Sequence, residues 1–135
     1  MEQLIYSSIA SPDLSGGDIF EIVSKAAVKN RDLEVTGMLA VAKGRFFQAL
    51  EGPGGELDAL MARIERDRRH HSLTVLSRRK SGARLFPRWS MQRFDIDDEE
   101  EARRRIFELI GSQADAKAVL ACFTAFLNKA YEARD

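Results

Sequence analysis

The chain has 135 residues, about one domain in length, enough to bury a core and too short for two full domains. Apolar residues make up 44% of it and charged residues 31%, which argues against intrinsic disorder. Its 21 basic side chains balance 21 acidic ones, so no net field draws it onto nucleic acid or an anionic membrane. One cysteine, Cys122, excludes an internal disulfide and a multi-cysteine metal site. It sits in the apolar run Val119-Leu120-Ala121-Cys122-Phe123 and reads as a buried, inert thiol. With no cationic leader and no apolar run long enough to span a bilayer, the expected location is the cytoplasm.

Strand-favouring residues in Gln3-Leu4-Ile5-Tyr6-Ser7-Ser8 predict a first strand. Ser15 followed three residues later by Asp18 has the form of a capping box, and Ile19, Ile22, Val23, Ala26 and Ala27 then recur at helical spacing. Val35 to Ala42 and Arg45 to Glu51 read as two strands joined by a tight turn at Lys43-Gly44. Gly52-Pro53-Gly54-Gly55 breaks the chain, and Leu57, Leu60, Met61 and Ile64 mark a second amphipathic helix ending near Asp67. Leu73 to Arg79 is another strand, and a last one is expected around Trp89 to Phe94.

This order predicts an α+β, ferredoxin-like βαββαβ(β) sheet with two helices on one face. Beyond it the chain turns helical. Asp97 to Glu101 put acids at a helix start, with a stop near Gly111. Ala114 to Ala133 carries Val119, Leu120, Phe123, Phe126, Leu127, Ala130 and Tyr131 on one stripe. That last helix needs an apolar surface, supplied by the sheet's open face or by a partner. The expected division is a domain over residues 1–94 and a two-helix extension over 95–135. Charge divides in the same way: 15 basic and 11 acidic residues precede position 95, and 6 basic and 10 acidic follow.

Polar residues on positions that the pattern reserves for apolar ones carry the most information, because buried polar groups need partners. Alternation places Gln48 between Phe46 and Leu50 on one strand face, and groups Leu4, Tyr6 and Ser8 on another. Asn30 stands at the end of the first helix, where asparagine often serves only as a C-terminal cap. Taken singly, each has a structural explanation: a buried tyrosine bonds its hydroxyl, and a strand glutamine bonds a loop. No nucleophile elbow, phosphate loop or zinc-protease motif occurs, and adjacent His70 and His71 lack the further ligands of a metal site.

Five segments combine in order: Leu4-Ile5-Tyr6-Ser7-Ser8; Asn30 with Thr36-Gly37-Met38-Leu39; Gly44-Arg45-Phe46-Phe47-Gln48-Ala49-Leu50-Glu51-Gly52; Asp67-Arg68-Arg69-His70; and Trp89-Ser90-Met91. Together they closely resemble the BLUF family of blue-light receptors, over residues 1 to about 94. The resemblance implies non-covalent FAD, with FMN possible, held between the two helices against the sheet. It implies that Tyr6 is the electron and proton donor on illumination and that Gln48 is the amide whose rearranged hydrogen bonds give a reversible red-shifted state. It further implies that Asn30 bonds the ring's polar edge, that Ser8, Asp67, Arg69 and His70 help hold the cofactor, and that Lys29 lies near its dimethylbenzene end or a phosphate. Trp89 and Met91 match the residues that relay the change.

The expectation is therefore a short, stand-alone photoreceptor, not an enzyme, acting on a downstream protein and self-associating into a dimer or larger. A flavoenzyme would need a nicotinamide site or a substrate base, and the sequence offers neither. A ferredoxin-like ligand- or nucleic-acid-binding module without photochemistry is the alternative. Its RNA version would need exposed sheet aromatics and a basic surface.

Overall fold

Burial on both faces along Glu2–Ala10 (β1), where Gln3 to Tyr6 are consecutively buried, and near-complete burial of Thr36–Ala42 (β2) and Arg45–Gly52 (β3) place these three strands at the centre of a sheet. The computed structural model describes residues 1–88 and 90–132, so the expectation for Trp89 lies outside the described residues. His70–Lys80 (β4) and Gln92–Ile96 (β5) complete five strands in the order β4-β1-β3-β2-β5. β5 runs parallel to β2 and the other pairings are antiparallel. The order β4-β1-β3-β2 is that of the expected ferredoxin-like sheet, and the extra strand joins at the β2 edge.

Local chemistry sets the boundaries. The β2–β3 turn uses Lys43 and Gly44, both at positive φ (51° and 72°), as a two-residue hairpin matched to strand twist requires. Gly37 lets β3 approach closely, since a Cβ there would lie 2.2 Å from the Ala49 carbonyl oxygen. Ser15 and Asp18 form the full capping box at the start of Gly16–Asp32 (α1). The cap at the far end of α1 is Leu33, whereas Asn30 sits within the last turn with its side chain turned into the protein. The final strand also differs from expectation. It begins at Gln92, leaving Met91 just ahead of it, because among the described residues after Pro87 the first with a ladder partner is Gln92, which meets Met38.

The two sheet faces carry separate cores. Leu4, Tyr6, Leu39, Phe46 and Leu50 pack under α1 and Gly54–Arg66 (α2). Ile5, Met38, Ala40, Phe47 and Ala49 pack under Glu99–Ile110 (α3) and Lys117–Tyr131 (α4). A short 3-10 turn at Ala114–Ala116 starts the final helical segment. Phe47 lies 5.2 Å, ring to ring, from Phe123 and 5.3 Å from Phe126. The stripe on the last helix is thus covered by the sheet of its own chain. Cys122 is only partly buried, not fully as expected, and desolvation raises its thiol pKa, which disfavours the thiolate. Among the described residues no helix is long and apolar enough to cross a membrane.

Candidate functional site

Tyr6 pairs with Gln48 across β1 and β3, and Gln48 pairs with Leu39 across β3 and β2. Strand register therefore sets the phenol beside the amide on the face covered by α1 and α2. Both are buried, Tyr6 at 4% and Gln48 at 7% exposure. The Tyr6 hydroxyl donates to Gln48 Oε1, and Gln48 Nε2 donates to Met91 Sδ at 3.3 Å. Burial pushes the Tyr6 phenol well above its ordinary value, and the nearby Asp67 carboxylate pushes the same way. At neutral pH the phenol is protonated and the donor in this pair is fixed.

Asn30 reaches the same stretch of chain from α1. Its Nδ2 donates to the Ser90 carbonyl at 2.8 Å, while its Oδ1 is buried with no partner among the described residues. At the other end of the site Asp67 caps α2 and receives Arg69, with Nε at 2.8 Å from Oδ1 and Nη2 at 2.5 Å from Oδ2. The guanidinium holds the Asp67 carboxyl below the usual range, and Asp67 in turn raises Arg69. His70 opens β4. Its Nε2 faces the Ile64 carbonyl at 2.7 Å, an acceptor only, so Nε2 carries the proton. In the neutral ring Nδ1 then accepts from the Ser8 hydroxyl at 2.7 Å.

Tyr6, Asn30, Gln48, Asp67, Arg69, His70 and Met91 line a cleft between α1, α2 and the sheet, partly open to solvent, with apolar walls from Ile19, Val23 and Leu60. That lining suits an organic cofactor, with few polar groups fixing its orientation. The residues fit a flavin in particular. A buried amide oxygen without a donor, Asn30 Oδ1, suits an imide N–H, and the apolar walls suit the dimethylbenzene end. A second cleft, beside α3, lies on the opposite face. Its rim acid Asp98 is spent on capping α3.

A family model described as sensors of blue-light using FAD matches residues 1–92. The chain belongs to the BLUF family. Residues 1–92 are thus a flavin-binding, blue-light-sensing domain of the family that uses FAD, and the sheet and helices are the BLUF arrangement. The Escherichia coli protein "Blue light- and temperature-regulated antirepressor BluF" is 36% identical over 93 residues, 69% of this chain and 23% of that protein. "Photoactivated adenylate cyclase subunit beta" of Euglena longa is 35% identical over 77 residues, 57% of this chain and 9% of that protein. The chain therefore spans a small part of these curated relatives. Among solved structures, "BlrB - a BLUF protein, dark state structure" superposes with a TM-score of 0.73 at 26% identity, covering 95% of this chain and 96% of that one. Klebsiella pneumoniae BlrP1 with FMN and cyclic diGMP gives 0.80 at 30% identity, covering 93% and 34%.

Within this BLUF fold, Tyr6, Asn30, Gln48, Asp67, Arg69, His70 and Met91 all line the one cleft. Ser8 is buried beside it through His70. Lys29 is exposed on α1 and is not among the lining residues. Of the two residues expected to relay the change, Met91 lines the cleft and Trp89 lies outside the described residues. Sequence reasoning overlooked Glu51, which is 1% exposed on the opposite sheet face and takes three hydrogen bonds. Its signal was present: an acid on the strand face that otherwise carries Phe47 and Ala49.

Proposed function

We propose that Tyr6 and Gln48 carry the photochemistry and that Met91 reports the state of Gln48 to the rest of the BLUF chain. The observation that supports this best is the unbroken chain from the Tyr6 hydroxyl through the Gln48 amide to the Met91 sulfur. Bound in the cleft, flavin supplies blue-light absorption and, once excited, a strong electron acceptor. Tyr6 is the residue suited to give up an electron. Losing it acidifies the phenol, whose proton has an acceptor already in place at Gln48 Oε1. Return of both leaves Tyr6 and the cofactor as they began, with only the amide rearranged.

The amide is suited to this because it holds a donor and an acceptor on one rotatable group. With Oε1 towards Tyr6, Nε2 donates to Met91. Turned over, the amide presents oxygen to a thioether, which has no hydrogen to give, and the Met91 contact is lost. Asn30, Asp67, Arg69, His70 and Ser8 hold the cofactor, directly or by bracing one another. Lys29, from its exposed position, contributes at most to an outlying part of the cofactor.

We further propose that the chain acts as a sensor without enzymatic activity of its own and signals to a protein partner. The α3 and α4 segment, residues 95–135, is the part of the chain that extends beyond the light-sensing unit of residues 1–94 and is proposed to mediate self-association as a dimer or larger. Gln48→Leu is the direct test. The variant should bind flavin with near wild-type occupancy and lose the light-induced red shift; a normal photocycle in it would reject the mechanism.

A further inference from the structure

We propose that Glu51 is a positioning residue for the light response: from the far side of the sheet it fixes the β4–β5 loop so that Met91 stays against Gln48. The inference rests on the preceding reading of Gln48 and Met91.

Glu51 follows Gln48 by three residues on β3, so its side chain leaves the opposite face. There Oε1 accepts from the Phe86 backbone N–H at 2.7 Å and from the Thr36 hydroxyl at 2.9 Å, and Oε2 accepts from the Leu85 N–H at 2.8 Å. Arg84 completes the anchor. Its Nη1 donates to Thr36 Oγ1 at 2.8 Å and to the Glu51 carbonyl at 3.1 Å, and its Nη2 donates to the Glu34 carbonyl at 2.7 Å. A carboxylate is costly to bury, and this one spends both oxygens on a single loop.

That loop passes from one core to the other. Leu85 and Phe86 pack in the core under α3 and α4, whereas Met91, five residues after Phe86, packs in the core under α1 and α2. Among the described residues of the segment, none before Gln92 has a ladder partner. The loop's described tethers include Glu51 and Arg84 at residues 84–86, the Asp115 carboxylate, which accepts from the Gly82 and Ala83 N–H groups, and the Asn30 bond at Ser90. Loosening the first tether lets the sulfur drift from the Gln48 amide. Because the Nε2 to Sδ contact belongs to the resting arrangement, weakening it removes part of what draws the amide back, and recovery in darkness slows.

The test is a double-mutant cycle on the flavin-loaded protein, read as the dark-recovery rate after blue light. Glu51→Gln keeps the shape but sets a donor against one of the loop N–H groups. Alone it should leave the red shift at wild-type size and slow recovery at least about threefold, whereas in a Met91→Ala background the same change should alter recovery less than about twofold, the non-additivity of coupled residues. Equal effects in both backgrounds, or no effect in either, would overturn the proposal, since a purely structural role adds independently. If Glu51→Gln fails to hold flavin, Arg84→Gln takes its place in the cycle with the same two outcomes. Absence of any red shift in the wild-type protein defeats the photochemical reading and this one with it. A wild-type shift with an additive cycle defeats this one alone.

Discussion

A phenol held protonated beside an amide gives each atom of the pair a defined job, and the Tyr6 environment shows how the fold arranges this. Desolvation holds the phenol above its ordinary pKa of about 10. The sign follows: between the unfolded and folded values the folded chain keeps a proton that the unfolded chain releases, so stability is lost as pH rises above about 10. Tyr6→Phe should flatten that loss, measured as the urea midpoint between pH 8 and pH 11. A wild-type curve no steeper than that of the variant would contradict the buried, protonated phenol. The same variant should retain flavin and lack the photoreaction, because the ring remains while the hydroxyl that donates to Gln48 is gone. Recovery of a full red shift in Tyr6→Phe under blue light would remove Tyr6 from the mechanism.

At the scale of elements, capping and turn chemistry do much of the placing. The Ser15 box fixes where α1 starts, and thereby where Asn30, fifteen residues on, meets Ser90. Ser15→Ala should cost about 1 kcal/mol, seen in chemical denaturation; a change below a few tenths would mean that the box adds nothing here. Such signals are local, which is why the capping box, the Lys43-Gly44 turn and the strand alternation of Gln48 were legible in the sequence. What was not legible depends on distant segments. Asn30 has the look of a helix cap, and only the return of residue 90 to α1 turns its side chain inward. The last strand starts at Gln92 because its parallel partner is Met38, fifty-four residues away, a pairing that no local pattern encodes. Glu51 showed itself only as an acid on an apolar strand face; its partners were hidden for the same reason, being backbone N–H groups of a loop thirty-four and thirty-five residues further on.

Across the whole molecule, one sheet serves two cores, with the cofactor cleft under α1 and α2 and an aromatic cluster under α3 and α4. This explains why the chain turns helical after β5. Without α4, the face bearing Phe47, Met38 and Ala40 would lie open to water. Phe126→Ala, at 5% exposure and beside Phe47, should therefore destabilise the protein by about 3–5 kcal/mol, measured by denaturation, while leaving the flavin cleft on the other face intact. Loss of less than about 1 kcal/mol would mean that the helix is a loose appendage.

The α3 helix also shows Phe107 at 62% exposure and Leu109 at 43%, on the segment proposed to meet a partner.

The measurement that bears most directly on the account is the absorption spectrum of the flavin-loaded wild-type protein before and after blue light, compared with that of Gln48→Leu. The account predicts a small red shift that reverses in darkness in the wild type and none in the variant, with equal flavin content in both. A wild-type spectrum unchanged by light, or an equal shift in the variant, would contradict it.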